Sequence, residues 1–260
     1  MKQKIRDFLH LFGIDITLRP KYNGSSTFEI DGFSYGFSTP TANLTPWDGD
    51  EDFKKIYAIV RNRFTLVDIY RCYELWQLVE KAYELSPSAG ILEVGVWRGG
   101  TSAIMAEKLK TLHANTPIFM ADTFTGVAKA TKEDKFYVGG EHCDTSEQLV
   151  TELMIDTVGY KNFTILKGIF PEDTQHLITS VEQFSLCHID VDVYASAKDI
   201  LEWIWGKLII GGMIVFDDYG FHTCVGITKF VEEHRHKTDR VIIHNLNGHA
   251  IIVKIGNQIV

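Results

Sequence analysis

Proline is scarce in this chain, six residues in 260, and no Ser/Gly-rich or Pro-rich run marks a linker. That argues one main domain, residues 65–260, behind an N-terminal helical and loop extension, residues 1–64. A basic stripe is missing as well. The formal net charge is -8, with acidic and basic residues interspersed, which argues against a nucleic-acid partner. Long apolar runs are also absent. The longest, Leu208 to Phe216, falls far short of the ~20 residues that span a bilayer, so no membrane partner is expected. The N-terminal stretch MKQKIRDFLHLFGIDIT is basic, but its apolar part is short and interrupted by His10, which makes a poor signal peptide. Cys72, Cys143, Cys187 and Cys224 are far apart and form no CxxC pair. This usage fits a reducing compartment better than a disulfide framework, and the cytoplasm is expected.

What is present suits a full core: 45% of residues are hydrophobic and 12% aromatic. Ile5, Phe8, Leu9 and Phe12 share one face of a predicted helix over residues 1–14. Residues 15–50 have little periodicity and read as loop with a short strand near Phe28–Phe37. Helical patterns follow near 51–63 and 66–85, and Ser86-Pro87-Ser88-Ala89-Gly90 stops the second. Apolar strand patterns then recur at 91–94, 117–121, 163–166, 185–189 and 213–216. Helical ones occupy 101–112, 146–158, 195–208 and 225–235. Such alternation argues a mostly parallel sheet with helices on both faces. Val241–Asn245 and Ala250–Lys254, joined by Leu246-Asn247-Gly248-His249, read as a hairpin that completes seven strands and makes one C-terminal strand antiparallel.

Ligands of such sheets sit outside the carboxyl ends of the strands. The first strand ends in Glu93-Val94-Gly95-Val96-Trp97-Arg98-Gly99-Gly100-Thr101-Ser102. Gly95 and Gly99 let backbone N–H groups approach a ligand, and the helix that follows, with Ser102 in its first turn, adds positive potential. The spacing departs from G-x-G-x-x-G, so it is a weak dinucleotide fingerprint. Asp122 ends the second strand, where a carboxylate accepts both ribose hydroxyls of a nucleoside. Glu93 is hostile to a pyrophosphate and suits a cationic or zwitterionic ligand. The combination points to S-adenosylmethionine (SAM) rather than NAD.

The most informative stretch is His188-Ile189-Asp190-Val191-Asp192, followed by Phe216-Asp217-Asp218-Tyr219. Each piece puts carboxylates at the end of an apolar strand, and carboxylates converging there repel one another unless a cation or proton intervenes. Asp190, Asp217 and Asp218 therefore read as oxygen ligands of a hard divalent metal, and Asp192 as a base. Helix capping is the competing reading for Asp190 and for the Asp217-Asp218 pair. His188 reads as a structural histidine rather than a ligand.

On these residues the chain resembles the macrocin O-methyltransferase family. Its most specific pieces are Glu93–Gly100, Ala121-Asp122-Thr123-Phe124, Lys167-Gly168-Ile169-Phe170-Pro171 and Asp217-Asp218-Tyr219-Gly220, within residues 65–250. The resemblance implies a class I SAM-methyltransferase (Rossmann-like) sheet, Mg²⁺ or Mn²⁺ dependence, a mobile lid, a sugar-containing hydroxyl acceptor and a homodimer. It implies metal ligation by Asp190, Asp217 and Asp218, and Asp192 as the general base. Cofactor contacts would come from Glu93, Gly95, Asp122, Gly168, Ile169 and Asp190. Where the family often has glycine between the two aspartates, this chain has Val191, and residues 1–64 match less clearly.

Three functions stay open on the sequence: a sugar O-methyltransferase, a catechol-type O-methyltransferase acting on an aromatic diol, and a non-catalytic nucleoside-binding module. Residues 123–144 are long for a βα connection. They are expected to form a lid that orders over the ligands, with Gly139-Gly140 as hinge and Tyr137 or His142 touching the acceptor. A disordered surface loop is the alternative.

Overall fold

The computed structural model describes residues 27–36 and 42–256. The helix predicted over residues 1–14 lies outside the described residues. Contacts divide the chain into two units, 1–39 and 40–260. In the first, strands β1 (Phe28–Ile30) and β2 (Phe33–Tyr35) form a small antiparallel hairpin.

The second unit opens with helices α1 (Glu51–Val60) and α2 (Ile69–Leu85). Asp50 caps α1 by accepting from Phe53 N at 3.0 Å, and its other oxygen accepts from Trp76 Nε1 of α2 at 2.8 Å. One carboxylate thus starts one helix and ties it to the next. Then follow β3 (Gly90–Val94), α3 (Gly100–Thr111), β4 (Ile118–Asp122), α4 (Glu147–Glu152) and β5 (Phe163–Lys167). The chain continues with β6 (Phe184–Ile189), α5 (Tyr194–Trp205), β7 (Leu208–Phe216), α6 (Val225–Glu233), β8 (Arg240–His244) and β9 (Ala250–Lys254). Strand β7 starts at Leu208 rather than at the expected 213, because Leu208 already pairs with Phe184 of β6, ahead of a bulge before Met213.

The seven-stranded sheet has the order β5-β4-β3-β6-β7-β9-β8. Its neighbours are parallel from β5 to β7, and β9 lies antiparallel between β7 and β8. Side chains alternate between two cores, as the pleat requires. Ile91, Ile118, Met120, Leu186 and Val215 pack under α1–α4, and Leu92, Val94, Phe119, Ile189 and Phe216 pack under α5 and α6. α1 commits Phe53, Ile56 and Val60 to the first of these, each contributing about 1.5–3 kcal/mol on burial. The order reverses between β3 and β6. Ligand crevices form at that switch point, and the ends of β3, β4, β6 and β7 carry the carboxylates singled out above. Among the described residues no helix is long and apolar enough to cross a membrane.

Candidate active site

A cavity of about 280 Å³ opens over these strand ends. Its wall includes Gly95, Asp122, Gly168, Ile169, Asp190, Asp192, Asp217 and Asp218. The structure therefore brings together eight of the eleven residues expected to form the site.

Glu93, Gly99 and Ser102 are not on that wall. Glu93 lies one residue before the strand end, on the face covered by α2 and α3, and is fully buried. Its Oε1 meets His188 Nδ1 at 2.8 Å, and its Oε2 accepts from the Ser102 hydroxyl. Both oxygens are committed inside the protein, and neither Glu93 nor Ser102 lines the cavity. Gly99 packs instead against Val150 and Leu153. His188 is fully buried against Glu93 and does not line the cavity. Burial opposes its charge, but Asp217 and Glu93 flank its two ring nitrogens and raise its pKa to about 10.

Gly95 is a glycine for a steric reason. Its φ is +90°, and a Cβ would lie 1.6 Å from the carbonyl oxygen of Asp190. The β3 turn and the end of β6 touch backbone to backbone, which sets the glycine turn beside the aspartates. Asp122 braces the same loop: Oδ2 accepts from Trp97 N and Oδ1 from Phe124 N, both at 2.7 Å. Burial pushes its carboxyl up, and these amides oppose the shift. Each carboxylate oxygen has a second lone pair for a ligand.

Four aspartates crowd the other half of the cavity. Asp190, Asp217 and Asp218 each offer an oxygen within 4.8 Å of the others. Their states differ. Burial, Asp217 and Asp218 raise Asp190 well above the carboxylate range, and among the described residues no hydrogen-bond donor reaches its carboxylate. Burial, Asp192 and Asp217 raise Asp218 likewise. Asp217 goes the other way. Burial pushes it up, but Arg71, His188 and His249 hold it well below the usual range. Asp192 is raised by burial against hydrogen bonds from Tyr137 and Cys224. Its φ is +64°, a left-handed conformation that aspartate tolerates better than most residues. The Cys224 thiol lies 3.7 Å from Asp192 Oδ1 and 3.6 Å from Asp218 Oδ1. The donor set is all hard oxygen, with Asp190 reached by no donor among the described residues, which fits a divalent cation held by Asp190, Asp217 and Asp218.

Residues 123–144 cross the cavity without regular structure and are pinned on both sides. Lys129 pairs with Asp199 at 2.6 Å and with Glu172. Asp134 Oδ1 accepts from Tyr194 N at 2.9 Å, and Lys229 pairs with Glu133 at 2.5 Å. Tyr137 and His142 both line the cavity.

Arg71 and Phe221 are site residues that the sequence reading missed. Arg71 continues the buried stripe of α2 (Leu75, Val79, Ala82) by one turn. A charged residue on that stripe was the available signal. Asp68, the N-cap of α2, accepts from Arg71 N at 3.1 Å and from its Nε at 2.9 Å. The guanidinium thereby reaches Asp217 and stacks 4.8 Å from the Phe221 ring centroid. No local signal marks Phe221.

Comparison with known proteins agrees with this architecture. The family model Macrocin-O-methyltransferase (TylF) matches residues 59–247. Demethyldecarbamoylnovobiocin O-methyltransferase of Streptomyces niveus is 25% identical over 190 residues, 68% of this chain and 70% of that protein. Mycinamicin III 3''-O-methyltransferase of Micromonospora griseorubida is 27% identical over 176 residues, 62% of this chain and 66% of that one. Among solved structures, the O-methyltransferase NovP superposes with a TM-score of 0.63 at 24% identity, over 75% of this chain and 84% of its own. With the family model spanning the crevice, its glycine turn and all four aspartates, the chain belongs to the macrocin-O-methyltransferase family of SAM-dependent enzymes.

Proposed function

We propose that the protein methylates a hydroxyl of a sugar or glycosylated small molecule, with Mg²⁺ or Mn²⁺ bound by Asp190, Asp217 and Asp218 and with Asp192 as general base. The observation that carries the metal reading is the Asp190 carboxylate, which no donor among the described residues reaches and which lies within 4.8 Å of oxygens of Asp217 and Asp218. The sugar acceptor is supported by a further relative whose name specifies a rhamnosyl-bearing acceptor, 8-demethyl-8-(2,3-dimethoxy-alpha-L-rhamnosyl)-tetracenomycin-C 4'-O-methyltransferase of Streptomyces olivaceus. A cytoplasmic setting is supported by four free cysteines, and a homodimer without a nucleic-acid partner completes the reading.

In this reading Gly95, Trp97, Asp122, Gly168 and Ile169 line the cofactor half. The Asp122 oxygens would accept from the ribose hydroxyls, with the amides of Trp97 and Phe124 holding the carboxylate in place. SAM supplies an electrophilic methyl group. A divalent cation held by Asp190, Asp217 and Asp218 would supply Lewis acidity that makes the acceptor hydroxyl easier to deprotonate. Asp192 takes the hydroxyl proton as the new carbon–oxygen bond forms and the carbon–sulfur bond breaks, leaving S-adenosylhomocysteine. A raised pKa suits this base, since proton transfer is most efficient when base and working pH are matched. Tyr137, which opposes the upward shift of Asp192, lines the same cavity.

The test is methyl transfer from labelled SAM to a panel of glycosides and catechols, with Mg²⁺ and with EDTA. Metal-dependent labelling of glycosides is expected. Labelling of catechols alone would replace the acceptor class, and EDTA-resistant turnover would remove the metal.

A further inference from the structure

Four strands carry a row of ionisable side chains beneath the aspartates, on the face covered by α2. Strand register places them. Glu93 of β3 pairs with His188 of β6, and Phe216 of β7 pairs with Ala250 of β9. The next step of that antiparallel ladder sets Asp217 opposite His249. His249 is fully buried and is not among the cavity-lining residues. Its Nε2 lies 2.9 Å from Asp217 Oδ1, and its Nδ1 lies 2.6 Å from Glu74 Oε2 of α2. Asn245 Nδ2, from the same turn, donates to that Glu74 oxygen at 2.6 Å.

A carboxylate has about four lone-pair sites. Arg71 takes one on Oδ2 of Asp217, His249 takes one on Oδ1, and His188 Nε2 lies 3.4 Å from the same Oδ1. His249 and His188 reach it from the buried side and Arg71 from the cavity wall, and Asp217 still lines the cavity beside Asp190 and Asp218. The turn itself is clamped. Gly248 has φ +103°, and a Cβ there would lie 2.4 Å from the Phe221 ring, the same ring that stacks on Arg71. Two of the groups that grip Asp217 are therefore braced against one another through Phe221.

We infer that His249, held in turn by Glu74, is a positioning residue that fixes the rotation of the Asp217 carboxylate and so completes the cation site. The inference rests on the reading that Asp190, Asp217 and Asp218 bind the metal. Neither His249 nor Glu74 touches substrate or cofactor in this arrangement.

Mn²⁺ binding to the full-length protein saturated with S-adenosylhomocysteine tests it, by calorimetry and by electron paramagnetic resonance of free Mn²⁺. His249→Ala is expected to weaken Mn²⁺ by about 10–100-fold, the usual effect of losing an outer partner of a metal ligand, with affinity for S-adenosylhomocysteine unchanged. His249→Gln, whose amide N–H stands near the position of Nε2, is expected to recover most of the loss. Glu74→Ala, at a partly exposed position on α2, is expected to give a smaller loss and keeps the test available if His249→Ala does not fold. Wild-type Mn²⁺ affinity in His249→Ala and Glu74→Ala would overturn the inference and leave the metal reading standing. Equal loss of Mn²⁺ and S-adenosylhomocysteine binding, unrescued by glutamine, would mark general damage and also overturn it. No Mn²⁺ binding by the wild type would remove the metal reading and this inference together.

Discussion

The backbone amide of Asp192 donates to Oδ2 of Asp218 at 3.0 Å. This bond joins the loop after β6 to the loop after β7 and fixes the residue read as base relative to one read as metal ligand. It also holds Asp192 at φ +64°. Aspartate and asparagine both tolerate that conformation, so side-chain chemistry can be changed here without backbone cost.

Asp192→Asn therefore separates chemistry from structure. The amide cannot accept the hydroxyl proton, and kcat is expected to fall by about 10²–10⁴-fold. Affinity for S-adenosylhomocysteine should not change. Thermal stability should hold or rise, because one of four crowded carboxylates loses its charge. Turnover within the error of wild type would remove Asp192 as base.

The raised carboxyls of Asp190, Asp192 and Asp218 set the pH dependence of stability. Each binds its proton more tightly folded than unfolded. Stability is greatest where all are protonated in both states. It is lost as pH rises from the ordinary value of 3.8 through the raised folded values. Asp217, shifted the other way, contributes stability above its ordinary range and loses it only in strong acid. A divalent cation replaces the missing protons. Its stabilising effect on Tm should be larger at pH 7.5 than at pH 5, as read by scanning calorimetry with Mg²⁺ against EDTA. Equal shifts at both pH values would contradict this account.

Much of the fold is legible from apolar periodicity. The alternation after Ile91, the turn at Leu246–His249 and the aspartates at strand ends each follow from local pattern. The role of Glu93 is not legible in that way. Its place beside the glycine turn suggests a ligand contact, whereas its parity with Ile91 puts it on the buried face. His188 and His249 find their partners only through strand register, which a single sequence does not display. Arg71 reaches Asp217 across 146 residues of chain, a distance no spacing rule covers.

Asp122→Ala should cost more than a lost ribose contact. The carboxylate also holds the amides of Trp97 and Phe124, and hydrogen bonds to a charged group are worth about 1.5–3 kcal/mol each. S-adenosylhomocysteine affinity is expected to fall at least about tenfold, equivalent to 1.4 kcal/mol. Mn²⁺ binding at the aspartate cluster should persist. Asp122→Asn, which keeps one acceptor oxygen, should fall between. Calorimetric titration of the three proteins reads both ligands, and unchanged cofactor affinity in Asp122→Ala would remove it from the site.

Gly95 gives the sharpest steric prediction. An alanine Cβ there would overlap the carbonyl of Asp190 and would hold a residue with a side chain at φ +90°. Neither strand can retreat, because Gly95 N donates to Ala121 O and Asp190 N to Val94 O, each at 2.9 Å. Gly95→Ala is expected to destabilise by about 3 kcal/mol or more, with loss of both S-adenosylhomocysteine and Mn²⁺ binding. Gly206 is the control. It lies at φ -68° at the end of α5, and a Cβ there meets nothing within 4 Å. Gly206→Ala should stabilise by about 0.4–1 kcal/mol through the unfolded chain. Urea unfolding of both variants measures the contrast. A Gly95→Ala protein as stable as wild type would mean that the loop and the aspartate strand do not meet backbone to backbone, and the relative placement of cofactor and cation would have to be redrawn.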